Sequence, residues 1–165
     1  GGMRNVTPEE FQPRDRDSIP PMNMGTRSHV LSMYVIFDHW IGYLCDAPSE
    51  YNKYPDILDY LSKVPSVWDK TLPLDARLGE YIVMAKQTGK DWYVGGMTGW
   101  EARTVHLDLS FLPEGTYDVE LFRDGANARR IARDYRREVL TLDASEGLDV
   151  ELAPGGGFAA RIVKH

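Results

Sequence analysis

Hydrolytic acid–base chemistry needs two carboxyl groups facing each other across a cleft, and Glu80, Glu101, Glu114 and Glu120 are the acids that fall in or beside strand-like segments. Acids on a sheet face that meets water are ordinary solvated residues, and sequence spacing fixes no separation between them, so none is assigned a catalytic role. Trp92, Tyr93 and Trp100 offer a second chemistry, because flat rings with apolar faces and polar edges can stack on a sugar ring. Trp92 and Tyr93 are neighbours in one strand and project to opposite faces, so at most one joins such a platform; packing in a core or between domains is the competing use. The arginines between Arg123 and Arg137 form a basic cluster interrupted by Asp124, Asp134 and Glu138, which reads as a solvated loop with ion pairs or a polar interface. His29, His39, His106 and His165 lack metal-ligand spacing, no metal ligand is assigned, and His29 is expected to pack within a helix. Gly155, Gly156 and Gly157 precede no helix, so they form a turn before the last strand and not a phosphate loop.

The elements that must position these residues come in two styles. At 165 residues and 42% apolar content, the chain can bury one ordinary core, or a small domain plus the remnant of another. A net charge of -6 repels a phosphate backbone on average, so no nucleic-acid partner is expected. Cys45 is the single cysteine, which excludes an intrachain disulfide and a cysteine zinc cluster. No stretch approaches the roughly 20 uninterrupted apolar residues of a membrane span, and no membrane partner is expected. The start lacks the layout of a signal peptide, but if the chain is a fragment its parent would carry any export address.

Residues 1–25 read as an extended, proline-rich loop. Thr26 is placed to cap a helix running to about Trp40, with Val30, Leu31, Met33, Tyr34, Val35, Ile36 and Phe37 apolar nearly all round. Its β-branched content suits a strand, but its length favours helix. Residues 41–45 read as a brief strand, and residues 49–63 as a second helix with Ile57, Leu58, Leu61 and Val64 on one face and Pro55 in its first turn. Helix, strand, helix is the unit of a parallel α/β fold, and a lone buried strand leaves unpaired N–H and C=O groups on both edges. The front therefore reads as the end of a larger domain, whose apolar surface must either associate or fold onto the strand-rich remainder of the chain. Beyond Pro65 and a connector containing Trp68, seven short strands are expected at 80–86, 91–97, 103–109, 117–123, 138–142, 148–152 and 158–163. Period-2 alternation and Gly-containing turns between them indicate an antiparallel β-sandwich, so the fold class is mainly β with a helical remnant in front.

In order, GTRSHVLSMYVIFD, LCDAPSEY, VPSVWDK, GEYIVMAK, DWYVGGMTGW, LDLSFL, LFRDGANARRIARDYRREV and APGGGFAARI resemble the C-terminal end of glycoside hydrolase family 97, bacterial α-glucosidases and α-galactosidases. The resemblance implies that residues 1–65 are the remnant of a (β/α)8 catalytic barrel and residues 66–165 a C-terminal β-sandwich. The parent would be an exo-acting α-glycosidase, periplasmic or secreted, with an oligosaccharide substrate and a calcium ion. The family's acids and calcium ligands lie upstream of the matched region, so no catalytic residue and no metal is assigned to this chain. The sandwich would cap the barrel or build a homo-oligomer contact; the alternative is a carbohydrate-binding module. Asp46, just past the expected eighth barrel strand, and Tyr43 within it are the substrate-binding candidates, because barrel active sites gather at the C-terminal ends of the strands. HWIGYLC and Lys70 depart from the family pattern, which leaves the choice of glucoside or galactoside open, as are retention and inversion.

Overall fold

The computed structural model describes residues 25–37, 53–77, 79–131 and 134–165. Two helices, α1 (Arg27–Ile36) and α2 (Pro55–Lys63), precede strands β1 (Lys70–Arg77), β2 (Tyr81–Thr88), β3 (Asp91–Thr98), β4 (Arg103–Asp108), β5 (Thr116–Asp124), β6 (Tyr135–Asp143), β7 (Gly147–Leu152) and β8 (Gly157–Lys164). One sheet runs β1-β2-β3-β8-β5-β6, the other is the pair β4-β7, and every described pairing is antiparallel.

The alternation seen in the sequence produces this sandwich. Val105 and Leu107 on β4, and Val119 and Leu121 on β5, turn into the space between the sheets, while Thr104, His106 and Asp108 meet solvent. Trp92, Val94, Phe158, Ala160 and Ile162 complete that core. Trp92 stands edge-on to Phe111 with ring centroids 5.1 Å apart.

The opposite face of the six-stranded sheet is covered by the helices. Leu31 and Val35 of α1 and Ile57 and Tyr60 of α2 bury themselves against Tyr93, Phe122 and Ala159. The apolar front of the chain thus folds onto the sandwich wherever it is described, which is one of the two outcomes its composition demands. The close approach of α1 depends on Gly95: a Cβ there would lie 2.8 Å from the Ser32 carbonyl oxygen and 3.0 Å from the Val35 Cβ.

Sequence reasoning misplaces two elements. Strand β1 reads as a connector because Pro73 interrupts it; it is an edge strand with a register irregularity between Pro73 and Asp75, where a missing N–H is tolerated. Helix α2 begins at Pro55: Lys53 and Tyr54, which fall within the helix expected over 49–63, are outside it, with Tyr54 its N-cap and Pro55 its first residue. The strand expected at 41–45 lies outside the described residues.

Candidate functional site

Three segments far apart in sequence meet at the start of α1. The Thr26 hydroxyl accepts the His29 N–H at 3.1 Å, which caps the helix, and donates to Asp124 Oδ1 at 2.6 Å. Asp124, the last residue of β5, is 7% exposed and Thr26 fully buried. The other carboxylate oxygen, Oδ2, accepts from the backbone N–H of Ala153 at 2.9 Å and of Gly157 at 3.2 Å. Alongside, the Thr26 N–H donates to the Gly155 carbonyl at 2.9 Å, and His29 Nδ1 lies 3.2 Å from the Gly156 carbonyl oxygen, so that nitrogen carries the proton. Gly156 has to be glycine, since a Cβ would collide with Asp124 Oδ2. The Trp100 ring lies over Gly155.

This is a clasp in which one carboxylate gathers a helix cap and a glycine turn. Its acid is placed at the N-terminus of α1, where a negative charge is favoured. Burial pushes the Asp124 carboxyl up from 3.8 to about 6, while the Thr26 hydroxyl and the two backbone N–H groups pull it back down. Burial also lowers His29 below its ordinary value.

The two shifts have opposite consequences. Asp124 holds its proton more tightly in the folded chain, so its contribution to stability is greatest below pH 4 and is lost as pH rises through about 6. His29 resists protonation when folded, so its contribution is lost as pH falls below the ordinary histidine value. Asp124→Asn removes the first effect and leaves the second. The variant is expected to lose about 1 kcal/mol more stability than the wild type between pH 7 and pH 5. Urea unfolding at the two pH values checks this; equal slopes would refute it.

Helix α2 is held by polar tips on aromatic rings. Tyr93 donates to the Lys63 carbonyl at 2.8 Å, and Tyr135 donates to the Asp56 carboxylate at 2.8 Å. Arg161 donates to the Tyr93 hydroxyl at 3.2 Å and to Asp91 at 3.1 Å. Arg27, from α1, stacks 4.2 Å over the Tyr54 ring. Tyr93 and Tyr135 pack their rings beneath the helices and give their hydroxyls to α2.

A mostly apolar groove of about 530 Å³ opens beside the clasp, lined by His29, Arg77, Glu80, Tyr81, Ile82 and Met97 among others. Glu80 is the one carboxylate among its described lining residues, and Arg77 at 3.3 Å and Arg103 at 3.5 Å engage it. One acid does not make the pair that glycoside hydrolysis requires.

The sequence candidates disperse accordingly. Asp46 and Tyr43 lie outside the described residues. Glu80, Glu101 and Glu114 are exposed, and Glu120 pairs with Arg137 at 3.0 Å. Trp92 is core, Tyr93 lies under the helices, and Trp100, half-buried, packs on the glycine turn, so the three rings do not gather into one platform. Arg136 and Arg137 make ion pairs with Glu138 and Glu120. Among the described residues, no group of three or more His, Cys, Asp or Glu is placed to hold a metal ion.

Sequence reasoning misses Asp124 as a site residue, where it reads only as a charge interrupting an arginine cluster. Its signal is its place two residues after Phe122 on an alternating strand, which puts an acid on the same, helix-covered face. Thr26 and the Gly155–Gly157 turn are recognisable separately, but nothing local links them.

Fold and clasp together define a helix-backed β-sandwich, fastened by buried polar bonds to the helices that precede it. The profile described as glycosyl-hydrolase 97 C-terminal, oligomerisation, matches residues 67–163, and the chain belongs to that family. It is 43% identical over 162 residues to a retaining alpha-galactosidase of Bacteroides thetaiotaomicron, an alignment covering 98% of this chain and 24% of that protein. It is 30% identical over 159 residues to a probable retaining alpha-galactosidase of Streptomyces bingchenggensis, covering 96% and 23%. A glycoside hydrolase family 97 enzyme from Pseudoalteromonas, solved with acarbose, superposes with a TM-score of 0.75 at 30% identity, covering 86% of this chain and 23% of that one. The chain thus spans about a quarter of the length of the relatives it matches.

Proposed function

We propose that this chain is the C-terminal part of an exo-acting α-glycosidase that cleaves α-galactosides with retention, and that its sandwich serves structure and assembly. The observation that carries the reading is the 43% identity, sustained over 98% of the chain, to a retaining alpha-galactosidase. In this reading, residues 1–65 close a (β/α)8 barrel and residues 66–165 form the domain packed against it. The clasp fixes the first helix of that junction to the sandwich. Asp46 and Tyr43 would face the sugar at the end of the eighth barrel strand, and the catalytic acids and calcium ligands would come from the upstream polypeptide.

Assaying the parent polypeptide and this chain separately on aryl α-galactosides and α-glucosides, with calcium present, tests the proposal. The parent is expected to turn over the galactoside and release the anomer of retained configuration first. This chain is expected to give no turnover above buffer. Turnover by the chain alone, or a parent active only on glucosides, would overturn the proposal.

The rival reading, a sugar-binding module, loses Trp92 to the core and Tyr93 to the helix-covered face, which leaves it the half-buried Trp100 of the three candidate rings. Titrating the chain with galactose- or maltose-type oligosaccharides is expected to leave tryptophan fluorescence without a saturable response. A saturable change abolished by Trp100→Ala would reverse that conclusion.

A further inference from the structure

The edges of the sandwich are treated unequally. At one end of the six-stranded sheet, β1 carries Pro73 and a register irregularity, both of which blunt an edge against pairing. At the other end, β6 pairs with β5 over nine consecutive residues without a break, and contains no proline. Among the described residues no strand lies beyond it. Val139, at its midpoint, is 60% exposed and is the one strand residue among the exposed large apolar side chains of the described chain. The short strands β4 and β7 also end a sheet, but their outward residues Thr104, His106, Asp108, Asp149 and Glu151 are polar. Among the described residues the helix layer packs on β6 at Tyr135, which meets Tyr54 and Phe122; Arg137, Val139 and Thr141 are on the same face further along, and Arg137 and Val139 are exposed.

We propose that β6 is the homodimer edge of this domain, pairing antiparallel with β6 of a second copy so that the six-stranded sheet continues across a two-fold axis. The inference rests on the reading of the sandwich as an assembly element and names the surface. The strand's charges suit self-pairing: on the face of Val139, Arg137, which also pairs with Glu120 at 3.0 Å, lies toward its start and Asp143 at its end, while Arg136 and Glu138 pair with each other at 2.9 Å on the other face. In an antiparallel arrangement centred on Val139, Val139 faces itself and Arg137 of each copy falls opposite Thr141 and diagonal to Asp143 of the other. Opposite charges come together twice, whereas a parallel arrangement would stack arginine on arginine. A two-fold contact of this kind closes on itself and builds no fibre.

Sedimentation velocity on the full chain at roughly 10–100 µM, the range in which modest interfaces populate, provides the test. The wild type is expected to be a dimer and Val139→Arg a folded monomer, its dissociation constant raised at least ~10-fold by two arginines meeting on the axis. In a Cys45→Ser background, V139C is expected to form an interchain disulfide under mild oxidation, because opposed residues bring their Cβ atoms within ~5.5 Å. The equally accessible V67C, at a position 76% exposed on the connector, should not. A dimer unaffected by Val139→Arg would overturn this edge while leaving the assembly role intact. A monomer at every concentration would overturn both, and loss of the dimer by Val139→Arg without crosslinking of V139C would overturn antiparallel pairing.

Discussion

Asp124→Ala is expected to destabilise the chain by about 3 kcal/mol at pH 7. The substitution strands the Thr26 hydroxyl and the N–H groups of Ala153 and Gly157, all now bonded to the carboxylate. Each buried group left without a partner costs roughly 1–3 kcal/mol. Against this stands the relief of no longer burying an ionised acid. The rise of the Asp124 carboxyl from 3.8 to about 6 makes that relief about 3 kcal/mol. Three stranded donors outweigh it. Thr26→Ala alone should cost about 1–2 kcal/mol, as the loss of a helix cap does. In the double variant the losses should fall short of additive by about 1 kcal/mol, because the two residues share one bond. Urea unfolding followed by circular dichroism gives these numbers, and amide exchange in α1 shows whether the helix start opens first. If Asp124→Ala unfolds within about 0.5 kcal/mol of the wild type, the clasp does not fasten α1.

Phe122→Ala is expected to cost more, about 4 kcal/mol, in keeping with the usual range for emptying a buried phenylalanine site. Phe122 is fully buried on the helix side of β5, with its ring 5.1 Å from that of Tyr60 and 6.2 Å from that of Tyr135. It is the point at which α2 and the sheet share one ring cluster. Removing it opens a cavity that the neighbouring rings cannot fill, because Tyr135 is tied to Asp56 and Tyr93 to Lys63 through their hydroxyls. Exchange protection should fall first in α2. Val67→Ala, on the exposed connector, serves as the control and should change stability by less than about 0.5 kcal/mol. A Phe122→Ala chain as stable as that control would mean that α2 does not depend on the sheet.

Together these variants separate the two fastenings of the helical front. The first acts through hydrogen bonds to a single acid at α1, the second through apolar contact beneath α2. In the proposed parent, either loss would loosen the junction between barrel and sandwich without touching a catalytic group.

Seven of the eight described strands, both helices, and the opposite facing of Trp92 and Tyr93 are legible in the sequence. Periodicity is a local property written in consecutive residues, and so are the Thr26 cap and the Gly155–Gly157 turn. Strand β1 escapes because Pro73 looks like a break unless the strand is known to lie at an edge. The clasp escapes for a stronger reason: Thr26 and Asp124 are 98 residues apart, and the partners of a buried carboxylate are chosen by which turns the fold stacks together. Local chemistry in the sequence determined the elements and the mainly β class. Only tertiary packing decided that the apolar helices lie on the sandwich, that Asp124 is buried and that β6 ends a sheet, because burial and edge position belong to neighbours that the chain order does not name.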